Sequence, residues 1–497
     1  MFAMPSTVNA KSVTRNVGWS VLSKTGTFGL KFVTVPILAR ILTPEEFGTV
    51  AVALTVVQFL AMIGGAGLAS ALIIQRDEEM ELVHSAFWAN LAISLLMALG
   101  LFVFAAPLAT MLGAPEAAYL LEIMSLLIPL QLGGDVAYAL LARRMNFSKD
   151  AAWSMISETL GALVAVAMAL AGFGVWSLLG QLFVSALIRL AGLYAVSGYV
   201  PRLVFSFRRV WALSRFSFGM MGSEIANFIT FQSPMVVISR YLGLSDAGAY
   251  SAANRFSSIP NQIVLSAVMG VLFPAFSHMG EDRERRSQAL ILSTQVTTVL
   301  LAPMMFGLWA LAEPAMLVLF GSQWAAAWPV LGLLALSKGI LTPCSTYVPY
   351  LKGIGQGTVL FWWAVIRAII TTGAVAYAAI NGSLIDAMIA LCIVNVLTLV
   401  GYSWVVFRAD RMPFVRGFFV STRPMFAAFA MALAVRFLLE RFGSLVPNAI
   451  LQVLVGAAIG GLIYLILMVL TERQLLLKLH RMVRQRGAVG ATPEPAE

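Results

Sequence analysis

The sequence predicts an all-α, polytopic membrane protein of about fourteen transmembrane helices, built as two pseudosymmetric six-helix lobes plus two C-terminal helices. Three observations predict it. The residues are 60% hydrophobic and 11% charged, with a mean hydropathy of +0.88, more apolar than a water-facing surface allows. Apolar stretches of the roughly 20 residues that cross a hydrocarbon core follow one another almost without gaps from Gly18 to Leu470. A turn motif in the first half recurs in the second.

Taken in order, residues 1–14 form a cytoplasmic N-terminus, and MFAMPSTVNAKSVTRN has no apolar region leading to a small-residue cleavage site, so no removable signal peptide is expected. The first lobe, 15–196, holds spans at 15–41, 49–73, 83–106, 119–141, 151–172 and 174–196. A cytoplasmic loop, 197–213, leads to the second lobe, 214–407, with spans at 214–240, 247–274, 289–312, 326–350, 357–379 and 383–407. Two further spans, 415–437 and 448–470, complete the stretch 408–470. The cytoplasmic tail, 471–497, is basic, and Leu475, Leu476, Leu479, Met482 and Val483 share one helical face, the pattern of an interfacial helix.

Lysine and arginine favour cytoplasmic loops. With the N-terminus inside, Arg143, Arg144, Lys149, Arg202, Arg208, Arg209, Arg283, Arg285, Arg286, Lys352, Arg408 and Arg411 all fall in inside segments. The outside turns at 107–118, 313–325 and 380–382 carry no basic residue. Both termini are therefore expected in the cytoplasm of a bacterial inner membrane. The net charge of +10 is spread along one membrane side rather than gathered in a groove with stacking aromatics. That pattern suits anionic lipid headgroups and argues against nucleic acid.

Arg40-ILTPEEF-Gly48 recurs as Arg240-YLGLSDA-Gly248 with identical internal spacing, and Pro107-LATML-Gly113 is echoed by Pro314-AMLVLF-Gly321. The first motif reads as a capping device: Thr43 caps the second helix, Pro44 suits its first position and Glu46 completes a capping box. Gly243 and Asp246 take the corresponding places in the second copy. Proline inside helices at Pro36, Pro234, Pro260 and Pro343 predicts kinks.

Ionisable groups at membrane depth cost several kcal/mol and mark transport paths. In the first span, Ser20, Lys24, Thr27, Lys31 and Thr34 form one polar stripe. Lys24 and Lys31 lie on one face about 10 Å apart, and two like charges on one stripe call for an anion between the lobes. In the seventh span, Ser223, Asn227, Thr230 and Pro234 form the equivalent face, with Glu224 in register with Lys24. The other intramembrane cations are Arg189, Arg255, Lys338 and Arg367, against the acids Glu122, Asp135, Glu158 and Glu224, which leaves a cationic bias. The alternative is that these charges pair among themselves, Lys24 with Glu158 or Arg255 with Glu224.

No enzyme chemistry is visible. Cys344 and Cys392 sit in hydrophobic stretches, and His84, His278 and His480 lie near helix ends, so neither a metal site nor a Ser/His/Asp arrangement is expected, and no cofactor. Gly64, Gly65 and Gly67 lack the Gly-Lys-Ser/Thr of a phosphate loop, and Gly456 with Gly460 reads as a packing face.

LARILTPEEFGTVAVAL, LLARRMNFSK, LGLSDAGAYSAANRF and FGSQWAAAWPVLGLLAL, in this order, resemble the polysaccharide transporter family, the Wzx-type flippases of the superfamily that also holds multidrug exporters of the MATE type and the lipid II flippase. The similarity spans about residues 15–470. It implies two facing lobes around a central cavity and transport of undecaprenyl-pyrophosphate-linked oligosaccharide, for lipopolysaccharide, capsule or exopolysaccharide, by alternating access. It also implies membrane lipids and polysaccharide polymerase or export machinery as partners. In that setting Lys24, Lys31 and Arg255 are expected to hold the pyrophosphate, with Thr27 on the same stripe, while Asn227, Gln232 and Asn254 accept the sugars. Glu158 and Glu224 are the candidates for ion coupling. A MATE-like ion-coupled drug/cation antiporter is the alternative and would need the acids more than the lysines. A membrane-embedded glycan polymerase would need a large outside loop, and none exceeds about a dozen residues.

Overall fold

The computed structural model describes residues 26, 29–30, 32–65, 72, 80–144, 147–278, 283–443, 446, 448–473 and 475. The described residues are helices and short turns, with no strand among them. The helices used below are α1 (Pro44–Gly65), α2 (Met80–Val103), α3 (Pro115–Arg143, a span broken into short helices), α4 (Phe147–Leu170), α5 (Val175–Ser197), α6 (Phe207–Leu242), α7 (Leu244–His278), α8 (Arg283–Ala310), α9 (Trp328–Ile340), α10 (Gly357–Asn381), α11 (Leu384–Ala409), α12 (Phe414–Phe442) and α13 (Ala449–Thr471).

Ten described helices are long and apolar enough to cross a bilayer, and a bent pair, Ser322–Ile340 with Thr342–Gly353, makes an eleventh span. The 54° bend of that pair falls at Leu341, two residues before Pro343, where the sequence expects a kink. Helices α6 and α7, at 36 and 35 residues, are longer than a bilayer core requires. Of the first expected span, 15–41, the part from residue 32 to 41 is described as continuous helix. The count of about fourteen stays an expectation.

The expected capping box forms. Thr43 N donates to Glu46 Oε2 at 2.8 Å and Glu46 N to Thr43 Oγ1 at 3.3 Å. The repeat then does more than cap. In each half a short helix follows a span, Ala105–Met111 after α2 and Ala312–Phe320 after α8, and each ends at a glycine of positive φ, Gly113 (73°) and Gly321 (87°). Gly113 abuts the backbone of Arg240, and Gly321 lies against the side chain of Arg40. Arg40 donates from Nε to Leu319 O at 3.3 Å and from Nη2 to Val318 O, and Ser239 Oγ donates to Leu112 O at 2.9 Å. The two repeated motifs thus bind crosswise, each to the echo in the opposite half.

At the centre of this seam α1 crosses α7 so closely that Gly48 and Gly248 pack backbone to backbone. Trp324 seals one side: it is fully buried, donates from Nε1 to Ala39 O at 2.6 Å and meets Phe47 edge-on, centroids 5.5 Å apart. The largest core cluster follows this seam, from Leu38 and Phe47 to Phe256 and Phe320. A second cluster fastens α12 and α13 to α8, through Phe306, Ala428, Val435 and Tyr464. At the opposite end of the bundle, Asp410 closes the turn after α11. It is buried and accepts from Arg286 Nη2 (3.1 Å), Ser287 Oγ (3.1 Å) and Tyr350 OH (2.6 Å).

Candidate transport cavity

Beneath the seam lies a cavity of about 760 Å³, walled by α1, α3, α4, α5 and α7. Its lining includes Phe47 and Gln58 near the seam, then Asp135, Tyr138, Glu158, Gln181, Arg189 and Arg255. Arg189 is tied to Asp150, Nη2 to Oδ1 at 2.7 Å. Arg255, half-buried, makes no hydrogen bond or ion pair with the described residues, so its charge is left for the cavity. A second cavity of about 420 Å³ lies across α7, among α6, α7, α9, α10 and α11. Gln232, Asn254, Asn261, Lys338, Arg367, Thr371 and Asn395 line it, with no carboxylate among the described residues that do. Between α7, α8, α12, α13 and Phe32 runs a groove of about 740 Å³ whose walls are almost entirely apolar.

Three consecutive residues of α7 join these spaces. Asn254 lines the 420 Å³ cavity, Arg255 the 760 Å³ cavity and Phe256 the apolar groove. Successive side chains on an α-helix point about 100° apart, so three in a row sweep most of its circumference. The AANRF motif therefore sits at a three-way junction. Beside it, Gln232 Nε2 donates to Gln58 Oε1 at 3.0 Å, linking a residue of the smaller cavity to one of the larger.

Of the expected site residues, Lys24, Thr27 and Lys31 lie outside the described residues. Arg255 and Glu158 share the larger cavity, and Gln232 and Asn254 share the smaller. Asn227 lines neither; its Nδ2 donates to Ser223 O on its own helix at 2.8 Å. Glu224 also lies apart from both. The pairing of Arg255 with Glu224 does not form, because Glu224 meets Lys352 at 3.4 Å, with both side chains about half exposed. The reason is helix length: Glu224 stands about 27 Å from the seam end of α6 at 1.5 Å per residue, which places it near the far membrane surface rather than at depth.

Lys338 and Arg367, intramembrane cations to which the sequence assigns no role, both line the smaller cavity. Lys338 Nζ meets four neutral oxygens, Asn254 O (3.1 Å), Asn254 Oδ1 (2.9 Å), Ser257 Oγ (2.8 Å) and Ser258 Oγ (2.7 Å), tying α9 to α7. The signal was available in AANRFSS, whose polar residues fall on two faces of one helix. Among the described residues no cluster of histidine, cysteine and acidic side chains fits a metal ion.

Apolar spans, charged internal cavities and a crosswise seam define a multi-pass membrane protein with the architecture of an alternating-access transporter. Residues 37–329 match the family of polysaccharide biosynthesis proteins, and the chain belongs to that family. It is 80% identical to the succinoglycan biosynthesis transport protein ExoT of Rhizobium meliloti (strain 1021), over 99% of this chain and 100% of that one. Among solved structures it is similar to the lipid II flippase MurJ in an inward closed conformation, with a TM-score of 0.74 at 16% identity over 94% of this chain and 100% of that one. An inward-facing MATE multidrug transporter matches with a TM-score of 0.62 at 17% identity, over 77% and 95%. At such identities the two structures speak for the fold alone.

Proposed function

We propose that the chain flips undecaprenyl-pyrophosphate-linked oligosaccharide from the cytoplasmic to the periplasmic leaflet of the inner membrane, as the 80% identity to a succinoglycan biosynthesis transport protein supports. The observation that carries this reading is the junction at Asn254, Arg255 and Phe256. A lipid-linked saccharide has three chemically distinct parts, and one helical turn faces a space suited to each. The uncommitted guanidinium of Arg255 suits the pyrophosphate, with Lys24 and Lys31 assigned to the same role. Amides and hydroxyls around Asn254 suit the sugars, and the apolar groove beside Phe256 suits the polyprenyl chain.

The scarcity of lysine and arginine in the turns at the seam supports reading it as the periplasmic end, with the cavities beneath a closed outer gate. Parting the crosswise contacts then exposes the cargo to the far leaflet. An anion moving outward across an inside-negative membrane gains roughly 2.3 kcal/mol per charge per 100 mV, which favours export. Glu158, in the same cavity as Arg255, is assigned to proton coupling, whereas Glu224 sits outside both cavities. The polymerase or export machinery of the pathway is the partner that would take the delivered unit.

Depleting the protein in a strain that makes the polymer tests the reading. Undecaprenyl-linked oligosaccharide should accumulate on the cytoplasmic leaflet. A strain that stops making polymer without accumulating it, or accumulates it on the periplasmic side, overturns the reading.

A further inference from the structure

Burying a cation at membrane depth without a counter-charge is costly, and the 420 Å³ cavity holds two. Arg367 lies about 15 Å along α10 from its first residue, midway through a core of roughly 30 Å. Its guanidinium stacks over the Phe231 ring at 5.2 Å, and its buried Nε has no hydrogen-bond partner among the described residues. Lys338 adds a second positive charge, already held by neutral oxygens alone. The cavity also holds buried groups of the opposite kind. Among the described residues Asn261 Oδ1 and Asn395 Oδ1 accept nothing, and Thr371 Oγ1 is unpartnered. The Asn395 amide has its Nδ2 rather than its oxygen against the Ser337 carbonyl, an obligate acceptor, at 3.4 Å, and against Ser337 Oγ at 2.5 Å.

Each orphaned group carries its desolvation cost until a ligand satisfies it. The cation asks for an anion, and the amide oxygens ask for donors. Pyrophosphate offers only acceptors, so it leaves the amides unmet. A carboxylate-bearing sugar offers both, and the aromatic residues Phe231, Tyr250 and Tyr402 also line the cavity. We propose that the cavity formed by Arg367, Lys338, Asn261 and Asn395 is a subsite for an acidic sugar residue of the transported oligosaccharide. This rests on the flippase reading and narrows its substrate class: Arg367 forms the charged hydrogen bond to the carboxylate, and the amides accept ring hydroxyls.

Proteoliposomes containing the full chain test the subsite with two synthetic undecaprenyl-pyrophosphate disaccharides that differ only in a terminal glucose or glucuronic acid. The wild type should flip the acidic compound about tenfold faster at limiting concentration, the worth of one charged hydrogen bond. Arg367→Gln should bring the ratio close to one, and Arg367→Lys should restore part of the preference. Asn261→Asp, nearly isosteric, should reverse the preference by repulsion and serves if Arg367→Gln does not fold. Equal rates for both compounds in the wild type, or a preference that survives both substitutions, overturn the subsite and leave the flippase reading standing. Failure to flip either compound overturns the flippase reading, and the subsite falls with it.

Discussion

Gly48 and Gly248, equivalent positions in the two copies of the repeated turn, meet each other where α1 crosses α7. A Cβ on Gly248 would coincide with the Pro44 carbonyl oxygen, and one on Gly48 with that of Leu244. Helix backbones approach this closely only where neither side carries a side chain. The contact joins the two halves, so it belongs to the closed seam and has no counterpart once the halves part.

Gly48→Val is therefore expected to act on the conformational equilibrium. Overpacking typically costs 1–3 kcal/mol, which here falls on the closed seam alone and shifts the open-to-closed ratio by roughly 5- to 150-fold. Spin labels at the exposed positions Glu45 and Tyr241 should report a longer distance across the seam in the variant. An unchanged distance distribution with lowered thermal stability would show that the glycine serves folding instead.

Arg255→Gln should reduce flipping by tenfold or more with no loss of thermal stability. Its guanidinium has no partner among the described residues, so removing the charge strands nothing. Arg255→Lys should retain part of the rate, since a point charge still attracts pyrophosphate but without bidentate geometry. Initial rates in proteoliposomes and a melting curve on the same preparation check both halves of the expectation.

Much of this was legible in the sequence because hydrophobicity and capping are local. The spans, the Thr43–Glu46 box, the break before Pro343 and both repeat echoes can be read from short windows. Their pairing across the molecule cannot: nothing near Arg40 shows that it grips the carbonyls of Val318 and Leu319. Glu224 was misplaced in depth because α6 runs well past the membrane, and periodicity gives a face but not a height. The smaller cavity was missed because its cations, Lys338 and Arg367, stand on separate spans that only tertiary packing joins.

Asp410→Ala should destabilise the whole protein by about 3–5 kcal/mol, the cost of stripping the partner from a buried ion pair. It leaves Arg286, Ser287 and Tyr350 each without that acceptor, and all three lie far from the seam. Asp410→Asn should cost less, because one oxygen still accepts. Thermal unfolding should register both variants, while the distance between labels at Glu45 and Tyr241 stays as in the wild type.

Trp324 offers the converse. It is fully buried against Phe47 and Phe320, its Nε1 donates to Ala39 O, and Gln323 donates to the same oxygen, so the carbonyl keeps a partner if the indole is lost. Trp324→Phe should then cost about 1 kcal/mol, one hydrogen bond, and Trp324→Ala about 3–5 kcal/mol, the penalty for an emptied aromatic site. Because Phe47 and Ala39 lie across the seam, both variants should shift the Glu45–Tyr241 distance in that order. Transport should fall in the same order, since a gate that no longer shuts cannot return to collect cargo. A Trp324→Ala protein that flips normally and keeps the wild-type distance would show that this end of the molecule is not a gate.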